Sequence, residues 1–219
     1  GFVLVVAMFF RELRKLTRKI VKSSLLLAVL LFGMNTLLTI GSRSLDASVT
    51  SFFSACYIIF IPFILIFFKK KVSRSNVAGI VCALIGLLLA TGPTLTAGFQ
   101  PGVLLVLGAC VFFATYVVVM EQVVGDANPI LLAMGQMFFG TLFALAGWAL
   151  TQHETMRHLP TDGAFWISVL VIALFVRGFT TIMQVYAQRY VSAISASLIY
   201  ATEIVFTLLT SLFLPAMIG

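Results

Sequence analysis

Seven times along this chain an apolar run of about twenty residues gives way to a short polar break, the length needed to cross a bilayer core as a helix. A soluble fold would have to hide such helices behind a polar outer layer. With 61% hydrophobic and 10% charged residues and a mean hydropathy of +1.14, the sequence has little to build one from. The fold class that follows is an all-α integral membrane protein, a polytopic helical bundle.

The breaks fix the order of the spans. A short apolar run closes at residue 10 and is followed by Arg11, Arg14, Lys15, Arg18, Lys19 and Lys22. Spans are then expected over residues 23–41, 48–68, 76–96, 102–124 and 130–150, and on both arms of the hairpin 175–214, whose connector is 188–192. If the first basic segment is cytoplasmic, alternation puts eleven of the fourteen basic residues in cytoplasmic loops, with Arg43 and Arg157 outside and Arg177 within the membrane. The net charge of +7 therefore reads as orientation and as attraction to anionic head groups, not as nucleic-acid binding, for which no aromatic and basic groove is present.

Other chemistry is sparse. Cys56, Cys82 and Cys110 fall inside apolar runs without metal-ligand spacing, and His153 and His158 stand at i, i+5, which does not share a helical face. The sequence contains no nucleophile elbow, P-loop or HExxH motif. Neither an enzyme nor a cofactor or metal is expected. The small-residue pairs Gly79/Ala83, Gly86/Ala90 and Gly140/Ala144 read as helix-packing devices.

Residues 43–68 align without gaps on 189–214, an offset of 146. Arg43 meets Arg189, Ala47 meets Ala193, Ser51 meets Ser197, Ile58 meets Ile204 and Phe60 meets Phe206. The two copies are separated by an odd number of spans, so they enter the membrane from opposite sides. Inverted repeats of this kind are the architecture of secondary transporters, with the solute near the midplane. The repeats are expected over 1–97 and 98–219.

Polar residues inside spans mark where a solute would be handled. Arg177, Thr181, Gln184 and Gln188 share a face on one arm of the last hairpin, and Tyr200, Glu203, Thr207 and Thr210 on the other. Weaker counterparts are Asn35, Thr39 and Ser42, then Thr50, Ser54 and Tyr57, with Tyr57 aligning on Glu203; Thr115 and Tyr116 would complete a cavity. The candidate solute-binding residues are Asn35, Tyr57, Tyr116, Arg177, Gln184, Tyr200 and Glu203. Arg177 and Glu203 admit two readings: a buried ion pair that fixes helix register, costing about 3–5 kcal/mol to break, or a pair that binds a zwitterionic solute or exchanges a proton.

Two stretches carry a family resemblance. AGIVCALIGLLLAT (78–91) is similar to the G-x-x-L-x-x-x-G-x-x-L-L pattern, and QVYAQRYVSAISASLIYATEIVFTLL (184–209) to the aromatic-Ala-Gln stretch that leads into Leu-Glu-Pro-Val-Phe, of the drug/metabolite transporter superfamily in its EamA-like permease branch. Ile204 replaces the proline usual after the glutamate, and Lys69–Lys71 the usual Gly-Glu. The resemblance implies ten helices in two inverted five-helix halves. About eight would be present here, the first partial, so that 1–97 lacks the start of its repeat and 98–219 the end. It implies transport of amino acids, other metabolites or drugs across a plasma, inner or organelle membrane, with a proton or an exchanged solute as coupling partner. The alternatives are an organic-anion or sugar-phosphate exchanger, for which Arg177 is the one intramembrane cation, and a non-transporting membrane scaffold or receptor.

Overall fold

The computed structural model describes residues 17–69, 74–91, 101–125, 127–151, 162–200, 202 and 206, and every regular element among them is helical. In chain order these are α1 (Arg18–Ser42), α2 (Ala47–Ala55), α3 (Tyr57–Phe67), α4 (Arg74–Thr91), α5 (Pro101–Val124), α6 (Pro129–Thr151) and α7 (Gly163–Val171). A π-helical segment (Ile172–Phe179), α8 (Thr180–Gln188) and α9 (193–200) complete the series. Five stretches among the described residues are long and apolar enough to cross a membrane: Arg18–Ser42, Val49–Phe67, Pro101–Val124, Pro129–Leu150 and Gly163–Gln188. In α4 the apolar part Val77–Gly86 is shorter. The opening apolar run, the end of the third expected span and most of the last arm lie outside the described residues.

Two expected spans are not simple α-helices. The second is divided at Cys56, where Cys56 N–H donates to Phe53 O at 3.1 Å and Ile59 N–H to Cys56 O at 3.0 Å, a tighter i→i+3 turn. The carbonyls loosened there are covered from α5, since the Cys110 thiol donates to Phe53 O at 3.0 Å and Ser54 O at 3.3 Å. Pro62 removes a further N–H within α3. That helix ends on Lys69, whose φ of 57° is a left-handed conformation usually left to glycine.

The other departure is the π segment. There the backbone closes i→i+5 rings in place of i→i+4, and the Thr180 hydroxyl follows the same spacing, donating to Phe175 O at 3.3 Å. Little packing accompanies this part of the chain. No residue of α7 is buried, and Ile172, Phe175 and Phe179 are exposed, as side chains bathed in lipid would be.

The described residues fall into two compact units, cut within α1 and α5. One takes the chain up to Phe32 together with Val119–Tyr190. Its core holds Leu27, Ala28, Met120, Leu131, Leu132, Ala133 and Val185, all buried. Ser24 of α1 is fully buried against α6. Its hydroxyl donates to Leu132 O at 3.3 Å, and its Cβ lies 2.6 Å from where a Cβ on Gly135 would stand. Further along, Phe32 tilts against Phe143 with ring centres 5.7 Å apart.

The second unit takes Gly33–Val118 and the chain from Val191 onward. Here α1 and α5 run antiparallel along a seam of small residues two turns long. Gly33 lies under the Phe112 ring, Leu37 meets Gly108, and Gly41 meets the Gly102 backbone. Such close approach substitutes for the hydrophobic drive that lipid does not supply. The Ser192 hydroxyl caps α9 by accepting from Ser195 N–H at 3.3 Å, and α9 buries Ala193, Ile194, Ala196 and Ser197. Of the expected packing glycines, Gly79 does meet Leu198, with 3.1 Å left for a Cβ. At Gly86 and Gly140 nothing among the described residues lies within 4 Å of a Cβ.

Candidate functional site

Hydroxyls in a lipid-embedded helix need acceptors, and among the described residues four of those in the expected polar stripes and cavity find them on their own backbone. Thr39 donates to Asn35 O at 2.7 Å, Ser42 to Thr39 O at 3.1 Å, Ser54 to Ser51 O at 2.9 Å and Thr115 to Val111 O at 2.7 Å. These residues are accounted for without a solute. Thr50 Oγ1 differs: it is buried with no hydrogen-bond partner among the described residues.

What the second unit does assemble is aromatic. Cys110, Phe113 and Tyr116 succeed one another at i, i+3 and i+6 on α5, and this face of the helix meets the α2–α3 break and α9. Phe113 is the hub. Tyr57 meets it edge-on with ring centres 4.8 Å apart, Tyr116 stacks at 6.0 Å and 15°, and Tyr200 of α9 tilts against it at 6.3 Å. Tyr116 is 0% exposed, so its ring is packed rather than displayed.

Tyr57 also carries a directed polar contact. Its hydroxyl donates to Ser197 O on α9 at 3.3 Å, in buried surroundings. An apolar ring with a satisfied hydroxyl is how tyrosine is accommodated inside a protein. Residues 140 apart in sequence are tied by this bond.

Three of the seven candidate residues, Tyr57, Tyr116 and Tyr200, are thus brought together. Asn35 belongs to the same unit, on α1 and half-buried. Arg177 and Gln184 belong to the other unit, Arg177 exposed in the π segment and Gln184 half-buried in α8. Glu203 lies outside the described residues, and with it the Arg177–Glu203 pair; so do Thr207, Thr210, His153 and His158.

Phe113 is the member that sequence reasoning missed. A search for polar residues in apolar runs cannot see a phenylalanine, and the available signal was its i, i+3 relation to both Cys110 and Tyr116. Gln136 and Gln188, with Ser24, are the buried polar side chains of the first unit among the described residues. Among the described residues there is no group of three or more His, Cys, Asp or Glu side chains that could hold a metal.

Comparison with known proteins fits these features. The sequence profile of the EamA-like transporter family matches residues 100–215, which covers α5 to α9. An "Uncharacterized transporter" from Archaeoglobus fulgidus is 25% identical over 177 residues, 80% of this chain. The chain spans about half of that relative's length, 55%. With more than half of its residues matched by the family profile, this multi-pass membrane chain belongs to the EamA-like transporter family.

Proposed function

We propose that the protein is a secondary transporter that moves a small organic solute by alternating access, with 1–97 and 98–219 as inverted repeats. The observation that carries this reading is the Tyr57–Ser197 bond and the aromatic cluster behind it. Tyr57 lies in the first copy of the internal repeat, 43–68, and Ser197 and Tyr200 in the second, 189–214. Direct contact between matching segments is what an inverted-repeat transporter needs at the place where its halves part and close. Tyr57 and Tyr200, with Asn35, would form the aromatic and polar wall against which the solute rests, with the packed ring of Tyr116 behind Phe113 as its support. Arg177, Gln184 and Glu203 are read as solute-handling residues on the sequence argument alone.

Amino acids, other small metabolites or drug-like molecules are the proposed solutes. The sequence carries no P-loop, so the proposed driving force is an ion gradient, exchange or the solute gradient itself. Reconstituted into proteoliposomes, the protein is expected to give saturable uptake from a panel of labelled amino acids, and Tyr57→Phe and Tyr200→Ala are expected to change its KM or rate. Saturable counterflow of sugar phosphates but not amino acids would move the assignment to organic-anion exchange. No saturable flux for any solute would leave a membrane scaffold.

A further inference from the structure

We infer that Thr50 is a solute-binding residue, and that the group it meets is an uncharged hydroxyl, carbonyl or amide of the solute. The inference rests on the transporter reading above and adds the chemistry of one end of the same site. Three threonines of the described spans satisfy their hydroxyls on the carbonyl one turn back: Thr39 on Asn35 O at 2.7 Å, Thr115 on Val111 O at 2.7 Å and Thr141 on Met137 O at 2.8 Å. The equivalent carbonyl is at hand for Thr50, since Asp46 O receives the Thr50 N–H at 2.9 Å and has a second lone pair. The hydroxyl does not use it. Among the described residues of the second unit, Thr50 Oγ1 is the one buried side-chain oxygen or nitrogen with no hydrogen-bond partner. The residue as a whole is half-buried, so the part that reaches the surface is not its hydroxyl. A desolvated hydroxyl without a partner destabilises a protein, and a binding role is one reason for a fold to carry one.

The level of Thr50 in the unit agrees with this role. The contacts Gly33–Phe112 and Leu37–Gly108 between antiparallel α1 and α5 set Asn35 level with Cys110. Cys110 in turn meets Phe53 O and Ser54 O. Asn35 therefore stands one turn after Thr50 and one turn before Tyr57, and the three are spread over about 10 Å along the span. That is the length of a small organic solute.

The surroundings select the kind of group. Between these levels α1, α2, α3 and α5 carry no carboxylate, ammonium or guanidinium, so a charged group brought to Thr50 would meet no counter-charge from them. A hydroxyl both donates and accepts, and suits a hydroxyl, carbonyl or amide equally. At the other end of the stretch the rings of Tyr57 and Phe113 suit the apolar part of the same solute. A site of this kind discriminates against an analogue that has the right shape but lacks the polar group, because the protein hydroxyl is then left unpaired.

The test measures uptake into proteoliposomes of two pairs of labelled amino acids, threonine against valine and asparagine against leucine. The members of each pair are alike in shape and differ in the hydrogen-bonding group. The wild-type protein is expected to take up the polar member with a KM about three- to tenfold below that of its apolar partner, the factor of one neutral hydrogen bond. Thr50→Val should erase that difference, and Thr50→Ser, which keeps the hydroxyl, should preserve it. Unfolding of Thr50→Val in mixed micelles gives a second readout, with the transition expected at or above the wild-type denaturing-detergent fraction, because an unpartnered hydroxyl has been removed. Earlier unfolding would show that the hydroxyl is bonded within the protein or to ordered water, and would overturn the inference whatever the flux. Saturable uptake with the same KM difference in wild type and Thr50→Val would overturn it and leave the transporter reading standing. Absence of saturable uptake by the wild-type protein would overturn the reading of this site as one for amino acids, and the inference with it.

Discussion

Replacing Gly41 by alanine sets a methyl group 2.9 Å from the Gly102 carbonyl oxygen, 2.9 Å from Val106 Cγ2 and 3.2 Å from Leu105 Cβ. The reciprocal change, Gly102→Ala, meets the Gly41 carbonyl at 2.7 Å, Leu45 Cγ at 3.0 Å and the Ser44 hydroxyl closer still. Side-chain ends can swing aside, but a backbone carbonyl moves only with its helix. To restore ordinary contact, α1 and α5 must separate by about 0.5 Å at this level, loosening the Leu37–Gly108 and Gly33–Phe112 contacts further along. The expected loss is about 1–3 kcal/mol for each single substitution, the range for over-packing a close contact.

Because one separation relieves both conflicts, Gly41→Ala/Gly102→Ala should cost less than the sum of the two single changes, with a coupling of about 0.5–3 kcal/mol. Unfolding in mixed micelles, followed by circular dichroism against denaturing detergent, gives the cycle directly. Gly86→Ala and Gly140→Ala serve as controls. Nothing among the described residues lies within 4 Å of either position, so they are expected to be neutral, or stabilising by up to about 1 kcal/mol from helix propensity. Wild-type stability in Gly41→Ala, or strict additivity in the double variant, would refute a backbone seam between α1 and α5.

Three further outcomes can be measured in the same assay. Tyr57→Phe removes the donor to Ser197 O but keeps the ring against Phe113, and should cost about 0.5–1.5 kcal/mol, whereas Tyr57→Ala, which empties the ring's place, should cost about 3–5 kcal/mol. Gly135→Ala should destabilise by about 1–3 kcal/mol, and Ser24→Ala should not rescue it, because the conflict at 2.6 Å is with Ser24 Cβ and not its hydroxyl alone. Lys69→Gly should stabilise by up to about 1 kcal/mol, since the left-handed backbone at φ 57° strains a lysine but not a glycine.

Hydropathy made the long spans legible. The expected 23–41, 102–124 and 130–150 correspond to Arg18–Ser42, Pro101–Val124 and Pro129–Thr151, because burial in lipid demands a minimum length of apolar helix that no alternative pattern mimics. Hydrogen-bond register was not legible. The turn at Cys56 and the π segment change which carbonyl each N–H meets, and apolar composition is the same in both cases. Small residues mark where close approach is permitted, but they do not supply the neighbour, and at Gly86 and Gly140 none is found among the described residues. The seam that exists uses Gly33 and Gly41, eight apart, where the four-residue spacing of common packing motifs does not look. The aromatic site was half legible, its tyrosines visible as polar atoms in apolar runs and its hub, Phe113, invisible on that criterion.

The π segment also bears on how the protein fits its bilayer. The span Gly163–Gln188 has 26 residues, which as a continuous α-helix would reach about 39 Å, well beyond a hydrocarbon core of about 30 Å. Such an excess is usually absorbed by tilting or by deforming the surrounding lipid. Wider turns hold more residues each, so the segment Ile172–Phe179 makes the span somewhat shorter than a continuous α-helix of the same residues. Arg177 is carried on this segment, so the place of its charge along the span follows from the π winding.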